Sequence, residues 1–312
     1  MKKAERSFWS SHKYFSFIKF AFKGVSQVLL IDNAISGFLI ILGITIYSPI
    51  LGLIAFFSSL IGTLTAYYLV SKKEDLHNGL HGFNPTLTGT ATMFLLEGPY
   101  TWLIALIAAL VSSIVFFALN WYIKKKRLPV LTMPFILVIW LIQLAGNYLN
   151  ILHLNPEFIA ESRTIYSFHQ QDLPNFVLVL IKGISEVFLI DSLWTGFLIL
   201  MALFGAGWRY GVYAVIGTFV SLLTAYLLGI NTELIELGLF NFNAILAIIS
   251  VGLTFDSEER KFPFFGIVAA MTSVVITVMV NMLFSPLGLS SLTLPFILTT
   301  WILLSVRDTF LK

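Results

Sequence analysis

The chain is 312 residues long, 58% hydrophobic and 11% charged, with a formal net charge of +3 and no cysteine. Its mean hydropathy is +0.90 and its pI is near 9.0. A soluble domain carries about a quarter charged residues, so the composition excludes one and describes a polytopic membrane protein. The missing cysteines rule out disulfides and thiolate metal sites.

In chain order, residues 1–22 begin MKKAERSFWSSHKYFSFIKF, basic and aromatic without the apolar core of a cleavable signal, and are expected to lie on the cytoplasmic membrane surface. The first repeat is expected over 23–150. It starts with a short amphipathic segment carrying Gln27, too close to Asp32 and Asn33 to cross a bilayer, which reads as a re-entrant helix. Apolar spans follow near 34–47, 50–70, 80–96, 100–123 and 129–150. A connecting loop on the outer side is expected over 151–172, and a second repeat over 173–312 ending in a cytoplasmic C-terminus. The ten-residue alternating strands of an outer-membrane barrel are not seen, which leaves helices as the spanning elements.

The second repeat is legible residue by residue. KGVSQVLLID at 23–32 returns as KGISEVFLID at 182–191, Leu64-Thr65-Ala66-Tyr67 as Leu223-Thr224-Ala225-Tyr226, and LHGFN at 80–84 as LFNFN at 239–243, each offset by 159. LTMPFIL at 131–137 returns as LTLPFIL at 292–298 with an offset of 161, each followed by a tryptophan, Trp140 and Trp301. Four landmarks in one order mark a duplication. Five spans and one re-entrant piece are an odd crossing, so the second copy enters from the opposite face. The expected fold is an all-α polytopic membrane protein of ten transmembrane helices plus two re-entrant helices in two inverted repeats. With both termini cytoplasmic, this topology puts all basic residues inside except Arg163 and Lys182, as the positive-inside rule asks. The KKKR run at 124–127 is an orientation signal whose by-product is contact with membrane lipid.

Polar residues within spans need a reason. Gln27 and Glu186, Asn84 and Asn243, and Thr132 and Thr293 are repeat partners, and inverted repeats bring partners together near the midplane. Phe83 and Phe242 stand beside them, with Leu87 and Leu246 one turn further on. The inferred path has a few hydrogen-bonding groups between flat apolar walls and lacks the charged rings of ion pores. An ion would shed water there without a counter-charge. A small, neutral, planar solute such as urea could exchange water for protein oxygens stepwise. Each assignment has a bland alternative. The threonines could bond the preceding turn ahead of Pro134 and Pro295, the phenylalanines could be core, the asparagines could only tie backbone together, and Gln27 and Glu186 could bond helix to helix. His81 reads as a packed histidine rather than a metal ligand.

The stretches GVSQVLLIDNAISG at 24–37, NGLHGFNPTLTG at 78–89, LGLFNFNAILA at 237–247 and the two L-T-x-P-F motifs resemble the urea transporter (urea channel) family, as a bacterial member, through both halves of the chain. The resemblance implies a homotrimer with one pore per subunit in the cytoplasmic (inner) membrane, and passive permeation of urea, with short amide analogues as further candidates. It implies no cofactor, no metal, no nucleic acid and no enzyme chemistry. Carried over by residue, it implies a filter whose mouths are guarded by Gln27 and Glu186. Val28, Leu30, Val187 and Leu189 stand beside those mouths, Phe83, Leu87, Phe242 and Leu246 form the slots, and Thr132 and Thr293 mark the central constriction. The chain departs from the family pattern at Asp32-Asn33-Ala34, at Leu30, where an aromatic is usual, and at Asn241, where the first copy has Gly82.

The alternatives are an ammonia or water channel and an ion-coupled secondary transporter of a small neutral solute. A coupled transporter needs an ion site, and Glu186 is the strong intramembrane acid available. A passive pore is therefore expected to give urea flux linear in concentration and indifferent to imposed sodium or proton gradients. Saturation of the flux, or acceleration by either gradient, would replace the pore by a carrier.

Overall fold

The computed structural model describes residues 13–69, 74–123, 128–149, 152–155, 173–255 and 264–310. The expectations for the first twelve residues, the 124–127 run and most of the 151–172 loop lie outside the described residues.

Helix α1 (Lys13–Ser26) runs into a 3-10 turn at Gln27–Leu29 and then, after a sharp bend, into α2 (Ala34–Tyr47). Next come α3 (Pro49–Leu69), the short α4 (Glu74–His77), α5 (Phe83–Leu95), α6 (Thr101–Ile123) and α7 (Met133–Tyr148). The second half has α8 (Phe176–Ser185), a 3-10 turn at Glu186–Phe188, α9 (Leu193–Ala206), α10 (Trp208–Leu227) and the short α11 (Thr232–Glu236). It ends with α12 (Asn241–Ile249), which widens into a π turn at Ser250–Thr254, then α13 (Phe264–Phe284) and α14 (Leu294–Phe310). Four of these helices, α3, α6, α10 and α13, are long and apolar enough to cross a bilayer. The bent pairs α1–α2 and α8–α9, broken by 78° and 86°, raise that to six if each is one span.

The packing is that of a membrane protein. Outward faces carry Ile35, Tyr68, Trp102, Trp208, Leu227 and Leu283, all more than 45% exposed, while Ser58, Ser59, Thr63, Ser112, Ser113, Thr218, Ser221, Ser273 and Thr277 are buried. Hydrocarbon tolerates apolar side chains outside, and small hydroxyl residues inside let helix backbones approach closely. Gly24 and Gly82 mark such an approach, since a Cβ on Gly24 would stand 2.8 Å from the Gly82 Cα. In the other half, Asn241 fills the equivalent space against Gly183. Its amide donates to the Val179 carbonyl at 3.0 Å and the Thr218 hydroxyl at 3.1 Å and accepts from the Ser221 hydroxyl at 2.8 Å. The departure at Asn241 is thus absorbed between α8, α10 and α12.

Two helices start later than the hydropathy suggests, and the backbone explains both. The span expected from 80 begins at Phe83 because residues 78–82 form a turn with Gly79 at φ +70°. The span expected from 129 begins at Met133 because Leu131 is left-handed, at φ 52°. Among the described residues the non-glycine positive φ values belong to four leucines, Leu30, Leu131, Leu189 and Leu292, each a conformation that costs about 1–2 kcal/mol. They fall at the ends of the two 3-10 turns and just ahead of Thr132 and Thr293. A two-residue ladder also forms, pairing Leu96 with Leu154 and Glu97 with His153, and it ties the end of α5 to the chain beyond α7.

The broken helices are stitched by side chains. Asn84 donates to the Leu131 carbonyl at 3.0 Å and accepts from the Phe135 amide at 3.1 Å. Asn243 does the same with the Leu292 carbonyl at 3.1 Å and the Phe296 amide at 3.2 Å. Between the halves, the Ser36 hydroxyl donates to the Ala202 carbonyl at 2.8 Å and the Thr195 hydroxyl to the Gly43 carbonyl at 2.9 Å. Asn243→Ala leaves a buried carbonyl and a buried amide without partners, and is expected to lower stability by about 1–3 kcal/mol. Thermal unfolding in detergent reads this, and an unchanged midpoint would mean that the two groups find other partners.

Candidate functional site

Each mouth phrase is a helix forced to turn. In the first, the Leu30 amide bonds back to the Gln27 carbonyl at 2.9 Å and Ile31 to Ser26 at 3.3 Å; in the second, Leu189 reaches Glu186 at 2.9 Å and Ile190 reaches Ser185 at 3.4 Å. An ion pair spans each turn, Lys23 with Asp32 at 2.6 Å and Lys182 with Asp191 at 2.9 Å. Asn33 then caps α2 through the amides of Ile35 and Ser36, and Ser192 caps α9 through Thr195. These contacts fix where the side chains at 27 and 186 stand.

The two guards differ in use. Gln27 is buried and donates its amide nitrogen to the Asn78 carbonyl at 2.7 Å. That bond is structural, and it reaches the 78–82 turn rather than running from helix to helix as the bland reading has it. Glu186 is half-buried, and among the described residues its carboxylate makes no hydrogen bond. It lines a partly open cavity of about 220 Å³.

That cavity draws on both halves. Ala91 and Leu95 come from the last turns of α5 and Ile139 and Gln143 from α7, while Glu186, Leu189, Leu239 and Phe242 come from the second half. Asn281, Ser285, Ser290, Ser291 and Leu292 complete the lining. Three expected site residues, Glu186, Leu189 and Phe242, are therefore cavity walls. Of the five further polar liners, Gln143, Ser285, Ser290 and Ser291 have no counterpart at the repeat spacing and so escaped sequence reasoning, whereas Asn281 recurs as Asn120 at the offset of 161, a signal that could have found it. The eight expected apolar residues, Val28, Leu30, Phe83, Leu87, Val187, Leu189, Phe242 and Leu246, belong to one apolar cluster or pack against it. Phe83 is set edge-on to Phe116, with centroids 6.1 Å apart.

The threonines are brought together. Thr132 Oγ1 and Thr293 Oγ1 lie 2.7 Å apart, a hydrogen bond in which either can donate, and both residues are buried. Neither hydroxyl is bonded to the preceding turn; each has the other as its partner. Each backbone carbonyl instead starts its helix, accepting from Ile136 and Ile297 at 3.2 Å. His81 packs flat on Phe117 at 5.1 Å and edge-on to Phe116 at 5.3 Å, and no group of metal-ligating residues forms among the described residues.

The arrangement offers a partly open cavity beside Glu186, a buried apolar cluster, and two hydroxyls that satisfy each other where the halves meet. A solute bearing both donors and acceptors could insert between the two hydroxyls by exchanging hydrogen bonds, whereas an ion would find no counter-charge at that pair. Thr132→Val with Thr293→Val keeps the shape and deletes both partners. Flux is expected to fall about tenfold, the effect of roughly 1–2 kcal/mol at a barrier. Stopped-flow measurement on correctly folded protein checks this, and normal flux would reduce the pair to a structural clasp.

The family model described as urea transporter matches residues 18–308. Urea transporter 1 of Ovis aries is 28% identical over 298 residues, covering 92% of this chain and 76% of that protein. Urea transporter 1 of Mus musculus is 29% identical over 242 residues, covering 76% of this chain and 63% of that protein.

Proposed function

The chain belongs to the urea transporter family, and from that premise we propose how its residues pass urea through the membrane. The chain is a transport protein rather than an enzyme, and urea permeates passively. The observation that carries the residue-level reading is the Thr132–Thr293 hydroxyl bond at the meeting of the two halves.

Urea enters the vestibule and gives amide hydrogens to the Glu186 carboxylate, which no protein donor occupies among the described residues. Phe242 and Leu246, then Phe83 and Leu87, form flat walls that strip water from its faces while its edges remain available. Val28, Leu30, Val187 and Leu189 shape the two entrances. At the constriction the Thr132–Thr293 bond opens, each hydroxyl takes a bond to urea, and it closes again behind the solute. The number of hydrogen bonds is nearly unchanged along the way, so the barrier stays low without any coupled energy source. Gln27 Oε1 accepts the solute at the far mouth.

Ten spans, two re-entrant helices and two inverted repeats fit the same picture. The last turns of α5 and Phe242 at the start of α12 reach one cavity, as helices running in opposite senses do. The repeats occupy 23–150 and 173–312. Both termini are cytoplasmic, the membrane is the cytoplasmic one, and the assembly is a homotrimer with one filter per subunit embedded in lipid. Under that topology Glu186 marks the outer mouth and Gln27 the inner one.

Reconstitution into proteoliposomes with stopped-flow urea flux is the test. Wild type is expected to accelerate urea equilibration well above empty vesicles, Glu186→Gln to retain much of that flux, and Glu186→Ala to lose most of it. Equal inactivity of Gln and Ala at this position would make the charge itself essential and favour coupling to a proton or ion.

A further inference from the structure

The constriction is held by contacts that cross between the halves. The Trp140 indole N–H, on α7, donates to the Ser290 carbonyl at 2.8 Å. The Trp301 indole N–H, on α14, donates to the Pro129 carbonyl at 2.8 Å. Pro129 stands three residues ahead of Thr132 and Ser290 three ahead of Thr293, and each tryptophan follows its own threonine by eight residues. Each helix that begins behind one threonine therefore grips the segment that leads into the other. Together the two helices and the two N–H···O bonds close a ring around the Thr132–Thr293 pair.

The ring is unequal. Ser290 is held at three points, because Gln143 also donates to its hydroxyl at 2.8 Å and accepts from its amide at 3.3 Å. Pro129 has no N–H to give, and Leu304 stands where Gln143 would recur. The segment before Thr132 thus depends on the Trp301 indole for its side-chain tie across the halves, whereas the segment before Thr293 keeps the Gln143 bonds when the Trp140 bond is lost. Both segments also carry a left-handed leucine, Leu131 or Leu292, a conformation that persists only where surrounding contacts enforce it.

We infer that Trp140 and Trp301, with Gln143 as a one-sided reinforcement, are positioning residues that set the bore between Thr132 and Thr293 and so the size cut-off of permeation. This rests on the reading of the two threonines as the constriction. Tryptophan to phenylalanine keeps a ring in place and deletes the N–H. In proteoliposomes, Trp301→Phe is expected to keep urea flux within about twofold of wild type. The flux ratio of 1,3-dimethylurea to urea should rise by roughly fivefold, the factor one hydrogen bond of ordinary strength is worth. Trp140→Phe alone should shift that ratio little, and Trp140→Phe with Gln143→Leu should shift it as Trp301→Phe does. The chain has no cysteine, so Thr132→Cys with Thr293→Cys gives a unique thiol pair. Its rate of oxidation to a disulfide should fall several-fold when Trp301→Phe is added, a readout independent of any solute. An unchanged flux ratio and an unchanged oxidation rate in both backgrounds, with normal melting temperature, overturn the proposal. The Trp140/Gln143 pair carries the test by itself where Trp301→Phe does not assemble. Wild type that leaves urea flux at the level of empty vesicles would instead defeat the substrate reading, and the thiol pair would still decide the ties.

Discussion

Inside a bilayer no water is available to a broken helix, and every backbone group that the break releases must find a partner in the protein. That constraint organises this structure. The asparagines at 84 and 243 meet it most directly, each offering its donor to a carbonyl and its acceptor to an amide at the start of a neighbouring helix. Asn33 and Ser192 meet it at the helices that leave the mouth turns. The left-handed leucines are tolerable because the groups on either side of them are already committed. Once the ends are satisfied, a path can run between them without exposing unpaired backbone to lipid or to solute.

The same constraint separates the two mouths. At one, part of the glutamine amide is consumed by the Asn78 carbonyl, leaving an acceptor and removing a donor. At the other, a carboxylate faces a vestibule lined also by Gln143, Asn281 and three serines. On the proposed path, a neutral solute with hydrogens to give meets acceptors first from either direction. The vestibule is wide enough for several waters at about 30 Å³ each, so on the proposed path dehydration is completed deeper, at the phenylalanines and threonines, rather than at entry.

The sequence carried the positions of the landmarks well and their conformations poorly. The repeated Q/E, F-N and T-x-P-F positions could be read because duplication writes each requirement twice. The Thr132–Thr293 contact is a case where spacing alone suggested a meeting that the structure contains. Helix starts at 83 and 133 were less legible because leucine gives no hint that it will sit at positive φ, a region usually left to glycine. Gln143 and Ser290 were invisible for the opposite reason. They occur in one half only, so neither repetition nor hydropathy marked them, and their importance lies in three bonds converging on a single residue. Asn241 looked like a change in the slot, yet its amide is fully used away from it.

The contact between α2 and α9 has an implication for origin. Ser36 reaches the carbonyl of Ala202 and Thr195 reaches that of Gly43, and both residue pairs are related by the repeat offset of 159. A bond in which one site meets a second, while their equivalents meet in reverse, is the signature of an isologous interface between identical subunits. A half-length ancestor inserted in both orientations could have made these two bonds between separate molecules. Fusing the copies would have turned a concentration-dependent association into an intramolecular one, after which each half was free to lose its identity with the other.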